Sequence, residues 1–229
     1  MPRRLFPRWS PEALRSSIQS GANTAYRHVR VDPSAYLLHA QRSLHLPIDK
    51  WEDVFDLGAH NVKPHADSVI RASSKAAALE GMGLGLGGLI TVVPDLGFLS
   101  TITLRLLQKL SLLYGFEYTT EEEAVELWIA AASAAGVEIG RDILEKQGIA
   151  RIVPFLMERV ASRVGEEVAE KWTARLVPVL SAGAAGALNY YFVRGWGRRA
   201  QKHFERRHAV VRSQRFSHGL SAPNRSLTM

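Results

Sequence analysis

The sequence of 229 residues contains no cysteine. It therefore offers no disulfide framework, thiolate nucleophile or thiolate metal site, which fits a reducing compartment. The Gly-x-Ser-x-Gly elbow, the His-Glu-x-x-His helix and the Gly-Lys-Ser/Thr end of a phosphate-binding loop are missing as well. The chain thus carries no recognisable catalytic constellation, and we expect no metal ion and no cofactor.

Long apolar segments are scarce. The charge-free segment Gly81–Pro94 has 14 residues, and as a helix it would rise about 21 Å, short of the roughly 30 Å hydrocarbon layer. The segment Leu176–Val193 has 18 residues, the lower limit for a membrane span, but it is dominated by Ala and Gly. Three placements stay open for it: across a membrane, in shallow contact with one, or inside a folded core, which we favour.

Acidic residues are nearly missing from both ends of the chain. Residues 1–31 carry six Arg against one Glu, and residues 194–229 carry eight Arg and one Lys against one Glu, in a chain of net charge +7. Such ends suit anionic lipid head groups or nucleic acid, and they also serve solubility alone. We expect an anionic membrane surface or a membrane protein as partner. Nucleic acid is not expected, because aromatic residues are sparse among the bases.

The composition divides the chain into three parts. Residues 1–31 lack the apolar core of a secretory signal; they share Arg and Ser with organellar transit peptides, but we predict a basic, loosely ordered arm. Residues 32–208 are predicted to form a helical domain. Residues 209–229 are polar and are predicted to be a basic disordered tail.

Helical periodicity is present along most of the chain, and we predict an all-α single domain. Asp32 before Pro33 marks a helix start. Thr120, three residues before Glu123, has the form of a capping box.

Proline and glycine mark the expected helix ends. Pro64 is predicted to interrupt one helical pattern, and the segment from His65 to Glu80 is predicted to be a helix that leads into the glycines. Gly115 is predicted to end the following helix, and Gly148 the one that starts at Thr120.

Small residues dominate two distant segments, Gly81–Thr91 and Gly183–Asn189. If helical, each presents a smooth stripe where another helix backbone can approach closely. Because each glycine costs roughly 1 kcal/mol of helix propensity, an extended or looped form stays open for the first segment. We predict that the two segments pack against each other as a central glycine-rich helical hairpin.

Two motifs typical of ligand sites are present, but each departs from the pattern that such a site requires. Gly83, Gly85 and Gly88 match the dinucleotide pattern, which needs a preceding strand and an acid about 20 residues on, where this chain has Gln. His60, His65 and Asp67 could ligate a metal, but Pro64 breaks their spacing.

Two carboxylates, Glu80 and Asp95, bracket the first apolar segment. Buried carboxylates are paired, hydrogen-bonded or protonated. We favour structural roles, with Glu80 accepting hydrogen bonds and Asp95 capping a helix; a catalytic acid–base pair is the alternative. Gly195–His208 is predicted to be a basic amphipathic helix with Trp196, Ala200 and Phe204 on one side.

The chain from about Trp51 to His208 resembles the EcsC protein family, bacterial helical proteins of poorly defined biochemical role. The resemblance rests on Ala78-Leu79-Glu80-Gly81, Gly85-Leu86-Gly87-Gly88, Pro94-Asp95-Leu96, Leu113-Tyr114-Gly115 and Leu176-Val177-Pro178, with Gly183, Gly186 and Asn189. It implies membrane association or traffic, because the namesake is encoded beside a transporter implicated in secretion. It implies no catalytic residues. Residues 1–50 and those after His208 are expected to lie outside it.

These observations select two sets of candidate residues. Functional or structural roles are assigned to Glu80, Gly81, Gly85, Gly87, Gly88, Pro94, Asp95, Tyr114, Gly115, Pro178, Gly183, Gly186 and Asn189. Contact with a membrane or another anion is assigned to Arg194, Arg198, Arg199, Lys202, Arg206 and Arg207.

We expect a cytoplasmic, non-enzymatic accessory protein held peripherally at the inner membrane. The alternatives are a hydrolase or lipid-modifying enzyme that uses Glu80 and Asp95, and a module that binds a lipid or another small molecule.

Overall fold

The computed structural model describes residues 30–85, 92–137, 151–160, 163 and 182–220. Every regular element in these ranges is a helix, and the prediction of an all-α single domain is confirmed. In chain order they are α1 (Pro33–Ser43), a 3-10 turn (Trp51–Asp53), α2 (Val54–Leu57), α3 (Ala59–Gly85), α4 (Val92–Leu113), α5 (Glu121–Ala134) and α6 (Ala182–Leu220). Residues 151–160 are also helical.

The predicted helix starts are confirmed by their caps. The Asp32 carboxylate accepts hydrogen bonds from the first backbone N–H groups of α1. At the start of α5, the Thr120 hydroxyl accepts from the Glu123 N–H at 3.2 Å, and the Glu123 carboxylate accepts from the Thr120 N–H at 3.0 Å. Both arrangements satisfy N–H groups that have no partner within the helix.

Two predicted helix boundaries are wrong. Pro64 lies inside α3, which begins at Ala59, so the helix continues through a residue that has no backbone N–H to donate. The chain instead breaks at Gly58, whose φ is +76°. Similarly, α5 ends at Ala134 before Gly136, which has a φ of +71°, and does not continue to Gly148.

The predicted disordered tail is also wrong up to residue 220. α6 continues to Leu220, twelve residues beyond the predicted end at His208. Its last turns are attached to the start of the domain, because Arg212 Nε donates to the Phe55 carbonyl at 2.9 Å and the Arg215 guanidinium lies 4.4 Å from the centre of the Phe55 ring. Residues 221–229 and most of the predicted arm lie outside the described residues.

α3 and α6 form an antiparallel pair, and α6 also packs against α4 and α5. Successive contacts along α6 meet residues progressively earlier in the chain: Gly186 with Ala78 and Met82, Gly197 with Ile70, Gln201 with Asp67, Glu205 with Lys63, and Arg212 with Phe55. The predicted apolar side of α6 is confirmed, since Trp196, Ala200 and Phe204 are buried. Among the described residues, no helix combines the length and the apolar character needed to cross a membrane.

The two helices approach each other closely at Gly186. A Cβ atom added to Gly186 would lie 2.6 Å from Met82 Cγ and 2.7 Å from the Ala78 carbonyl oxygen. The segment around Gly186 therefore meets the start of the Gly81–Thr91 segment as predicted, although at one end of the helix pair and not at its middle. Residues 81–85 of that segment are helical, and residues 86–91 lie outside the described part.

We expect the substitution Gly186→Ala to lower the free energy of unfolding by about 1–3 kcal/mol, because the added methyl would collide with the backbone of α3. Gly195→Ala is the control in the same helix, since the nearest atom to its new methyl would be 3.6 Å away. The control should be neutral or slightly stabilising, as alanine favours helix. Chemical denaturation measures both variants, and equal stabilities would contradict the close approach.

Candidate functional site

α6 carries a dense set of basic side chains that could bind a partner. From Arg194 to Arg215 it has seven arginines and one lysine against a single acid, Glu205. Their role depends on which of them bind within the protein and which face outward.

A polar seam joins α3 to α6. It consists of Lys63, Asp67, Tyr114, Arg198, Gln201 and Glu205. Asp67 Oδ1 accepts from Gln201 Nε2 at 2.8 Å and from the Arg198 guanidinium. Glu205 Oε1 accepts from Lys63 Nζ at 2.8 Å and from the Tyr114 hydroxyl at 3.2 Å. Because Tyr114 and Gln201 are buried, the seam satisfies polar groups that would otherwise be costly inside the protein.

The seam changes the acidity of its members. Burial would raise the pKa of the Asp67 carboxyl, but the hydrogen bond from Gln201 and the charge of Arg198 outweigh it, so this pKa lies below its ordinary value. Burial raises the pKa of the Tyr114 hydroxyl above its ordinary value, which keeps the phenol protonated as a donor. The seam is therefore a set of fixed charges and donors at neutral pH.

A second ion pair joins α5 to α6. Glu126 lies 3.2 Å from His203 Nε2 and 3.3 Å from Arg207 Nε. Burial alone would raise the pKa of the Glu126 carboxyl. The hydrogen bond to His203 and the charge of Arg207 lower this pKa by more than burial raises it, so it lies below its ordinary value. Arg207 is thus bound to the protein's own acid.

Two more arginines of α6 hold the ends of other helices. Arg199 donates to the carbonyl of Ala134, the last residue of α5. Arg212 donates to the carbonyl of Phe55 in α2. Both place a positive charge at a helix C-terminus, where the backbone carbonyls lack partners and the helix dipole is negative.

The outer face of α6 remains for contact with a partner, and we define it as Tyr191, Lys202, Arg206 and Phe216. Lys202 and Arg206 are exposed. Tyr191 is 70% exposed and Phe216 is 51% exposed. Arg206 donates from Nε to the Lys202 carbonyl at 3.2 Å, so its side chain lies along the helix surface.

The candidate residues from the sequence are distributed over several places. Glu80 is half-buried on α3, and Asn189 and Gly186 are buried on α6. Gly115 ends α4 with a φ of +88°, and a Cβ there would lie 2.7 Å from the Phe55 ring. Gly81, Gly85, Pro94 and Gly183 lie in helices. Gly87, Gly88, Pro178 and the side chain of Asp95 lie outside what the structure describes.

The candidate metal and nucleotide motifs have other surroundings. Gly83 and Gly85 lie within a helix, not after a strand. Asp67 binds Arg198 and Gln201. Within the described ranges, no three metal-ligating side chains come together.

The seam and the exposed aromatic rings were not predicted from the sequence. A signal for the seam was present, because Lys63 and Asp67 are one turn apart on α3, as are Gln201 and Glu205 on α6. Phe216 was missed because it fell in the predicted tail.

A sequence model of the EcsC protein family matches residues 3–208 of the chain. No curated protein and no solved structure matches the chain. The expectation that residues 1–50 lie outside the resemblance is wrong. The later part of this region packs on the domain, since the Val31 N–H donates to Gln108 Oε1 of α4 at 2.8 Å and Tyr36 and Ile48 are buried.

We expect Asp67→Asn to lower the free energy of unfolding at pH 7 by on the order of 1 kcal/mol, a modest loss because Arg198 is partly exposed. The lowered pKa of Asp67 means that its charge stabilises the fold above the unfolded-state pKa of about 3.9, and that this contribution is lost as the pH falls through the folded-state value.

The difference between wild type and Asp67→Asn should therefore shrink below about pH 4, as measured by urea denaturation. Asp56→Asn, at an exposed carboxylate of α2, is the control and should change stability little. A loss of stability in Asp67→Asn that is as large below about pH 4 as at pH 7 would contradict the ionic role of Asp67.

Proposed function

Because the chain belongs to the EcsC protein family, we propose that it is a non-enzymatic accessory protein that associates peripherally with an anionic membrane surface in the cytoplasm. The observation that supports this most is the charge of α6, eight bases against one acid in 22 residues. A surface this basic favours anionic lipid head groups.

The contacts within the protein restrict how α6 can bind. An ordinary interfacial helix places its apolar side in the lipid. Here Trp196, Ala200 and Phe204 are buried against the rest of the domain, so that side is occupied. Association must then use the polar surface of α6, and its strength should depend on charge and on salt.

The bases of α6 contribute unequally to such an association. Arg198 and Arg207 are neutralised by Asp67 and Glu126. Lys202 and Arg206 are exposed. Each exposed base near an anionic surface contributes about 1 kcal/mol, so two of them supply roughly a thirtyfold gain in affinity.

We expect the full chain to sediment with phosphatidylcholine vesicles that contain phosphatidylglycerol and to stay in solution with phosphatidylcholine alone. Added salt should release it, because exposed charges are screened beyond about 10 Å at moderate ionic strength. Failure to bind either vesicle, or equal binding to both, would contradict the proposal.

The double variant Lys202→Gln, Arg206→Gln should lower the affinity for the anionic vesicles by about thirtyfold. Its control is Arg42→Gln, Arg105→Gln, which removes the same charge from exposed positions on α1 and α4. Equal losses in the two double variants would show that only the net charge matters and would contradict a role for α6.

A further inference from the structure

We propose that α6 lies flat on the membrane with its outer face toward the lipid, and that Tyr191 and Phe216 enter the interfacial layer as anchors at its two ends. This inference rests on the proposed function and names the surface and the lipid groups that it meets.

The two exposed rings lie on the same side of α6. They are 25 residues apart, which is almost seven complete turns at 3.6 residues per turn, and about 38 Å along the axis. Lys202 follows Tyr191 by about three turns, and Arg206 lies one turn further on. The outer face is therefore one stripe with a ring at each end and bases between them.

An arginine contacts the Phe216 ring at one end of the face and, at the other end, the tyrosine next to Tyr191. Tyr191 packs edge-on against Tyr190, and the Tyr190 hydroxyl accepts from Arg194 at 2.7 Å. The Arg212 guanidinium lies 5.1 Å from the centre of the Phe216 ring. Aromatic rings beside cations suit the boundary between head groups and acyl chains, where the ring enters the apolar layer and the cation stays with phosphate.

The shape and charge of the outer face select a bilayer over a second copy of the chain. A stripe about 38 Å long needs a wide, flat partner. Two copies joined by this face would bring Lys202 and Arg206 of both close together, with no acid among the four residues of the face to compensate. An anionic bilayer supplies the complementary charge along the whole stripe.

The lack of native cysteine makes this geometry directly measurable. The single substitutions Tyr191→Cys and Phe216→Cys, labelled with nitrobenzoxadiazole in the full chain, place an environment-sensitive probe at each end of the face. Leu38→Cys is the matched control, because Leu38 is 49% exposed on α1, close to the 51% of Phe216.

On anionic vesicles, we expect the probes at positions 191 and 216 to shift to the blue and to be quenched by lipids with a nitroxide on the upper acyl chain. The probe at position 38 should keep the emission wavelength that it has in water without vesicles. A bound protein whose probes at 191 and 216 stay in water, or whose probe at 38 enters the lipid equally, overturns this orientation and leaves the proposed function standing. A protein that does not bind overturns both.

Unlabelled variants give a second measurement. Phe216→Ser should lower the affinity for anionic vesicles about tenfold, because an inserted ring loses its apolar contact. Leu38→Ser should leave it unchanged. Equal losses of affinity in the two variants would overturn the proposal in favour of non-specific adhesion. A change of oligomeric state in solution with Phe216→Ser would overturn it in favour of self-association.

Discussion

The antiparallel alignment of α3 with α6 is the constraint on which the rest of the structure depends. At one end, Gly186 approaches the backbone of α3 so closely that a Cβ atom there would lie 2.7 Å from the Ala78 carbonyl oxygen. Along the middle, the polar seam matches Asp67 with Gln201 and Lys63 with Glu205. A shift of one turn would leave the buried Gln201 without its partner, at a cost typical of an unsatisfied buried polar group. Packing and polarity therefore specify the same alignment.

This alignment gives α6 surfaces with different tasks. Its apolar side, with Trp196 and Phe204, completes the core, and its seam side binds α3. Arg199 and Arg212 hold the ends of α5 and α2. What remains outward includes a stripe that is basic and aromatic, and it is free for a partner because the apolar side and the seam side of the helix are used. The basic composition of α6 thus serves the fold first and leaves a defined part for a partner.

The sequence predicted local features well and distant ones less completely. Helix starts were predicted because capping is decided by neighbouring residues such as Thr120 and Glu123. The apolar side of α6 followed from its period, and the close approach at Gly186 from residue size. The end of α6 could not be predicted, since the residues after His208 are held to the domain by the contacts of Arg212 and Arg215 with Phe55, far away in the chain. The seam could not be predicted for the same reason, because its residues on α3 and α6 can be paired only once the alignment of the two helices is known.

The alignment is tested most directly by spin-label distances within the full chain, which has no cysteine of its own. One label replaces Lys63, and the second replaces Gly195, Glu205 or Arg215 in turn. Positions 195 and 215 are each about 15 Å along the helix from position 205. The account predicts the shortest distance for the pair at 63 and 205 and longer ones for both others. A distance that rises or falls steadily from 195 to 215 would contradict it.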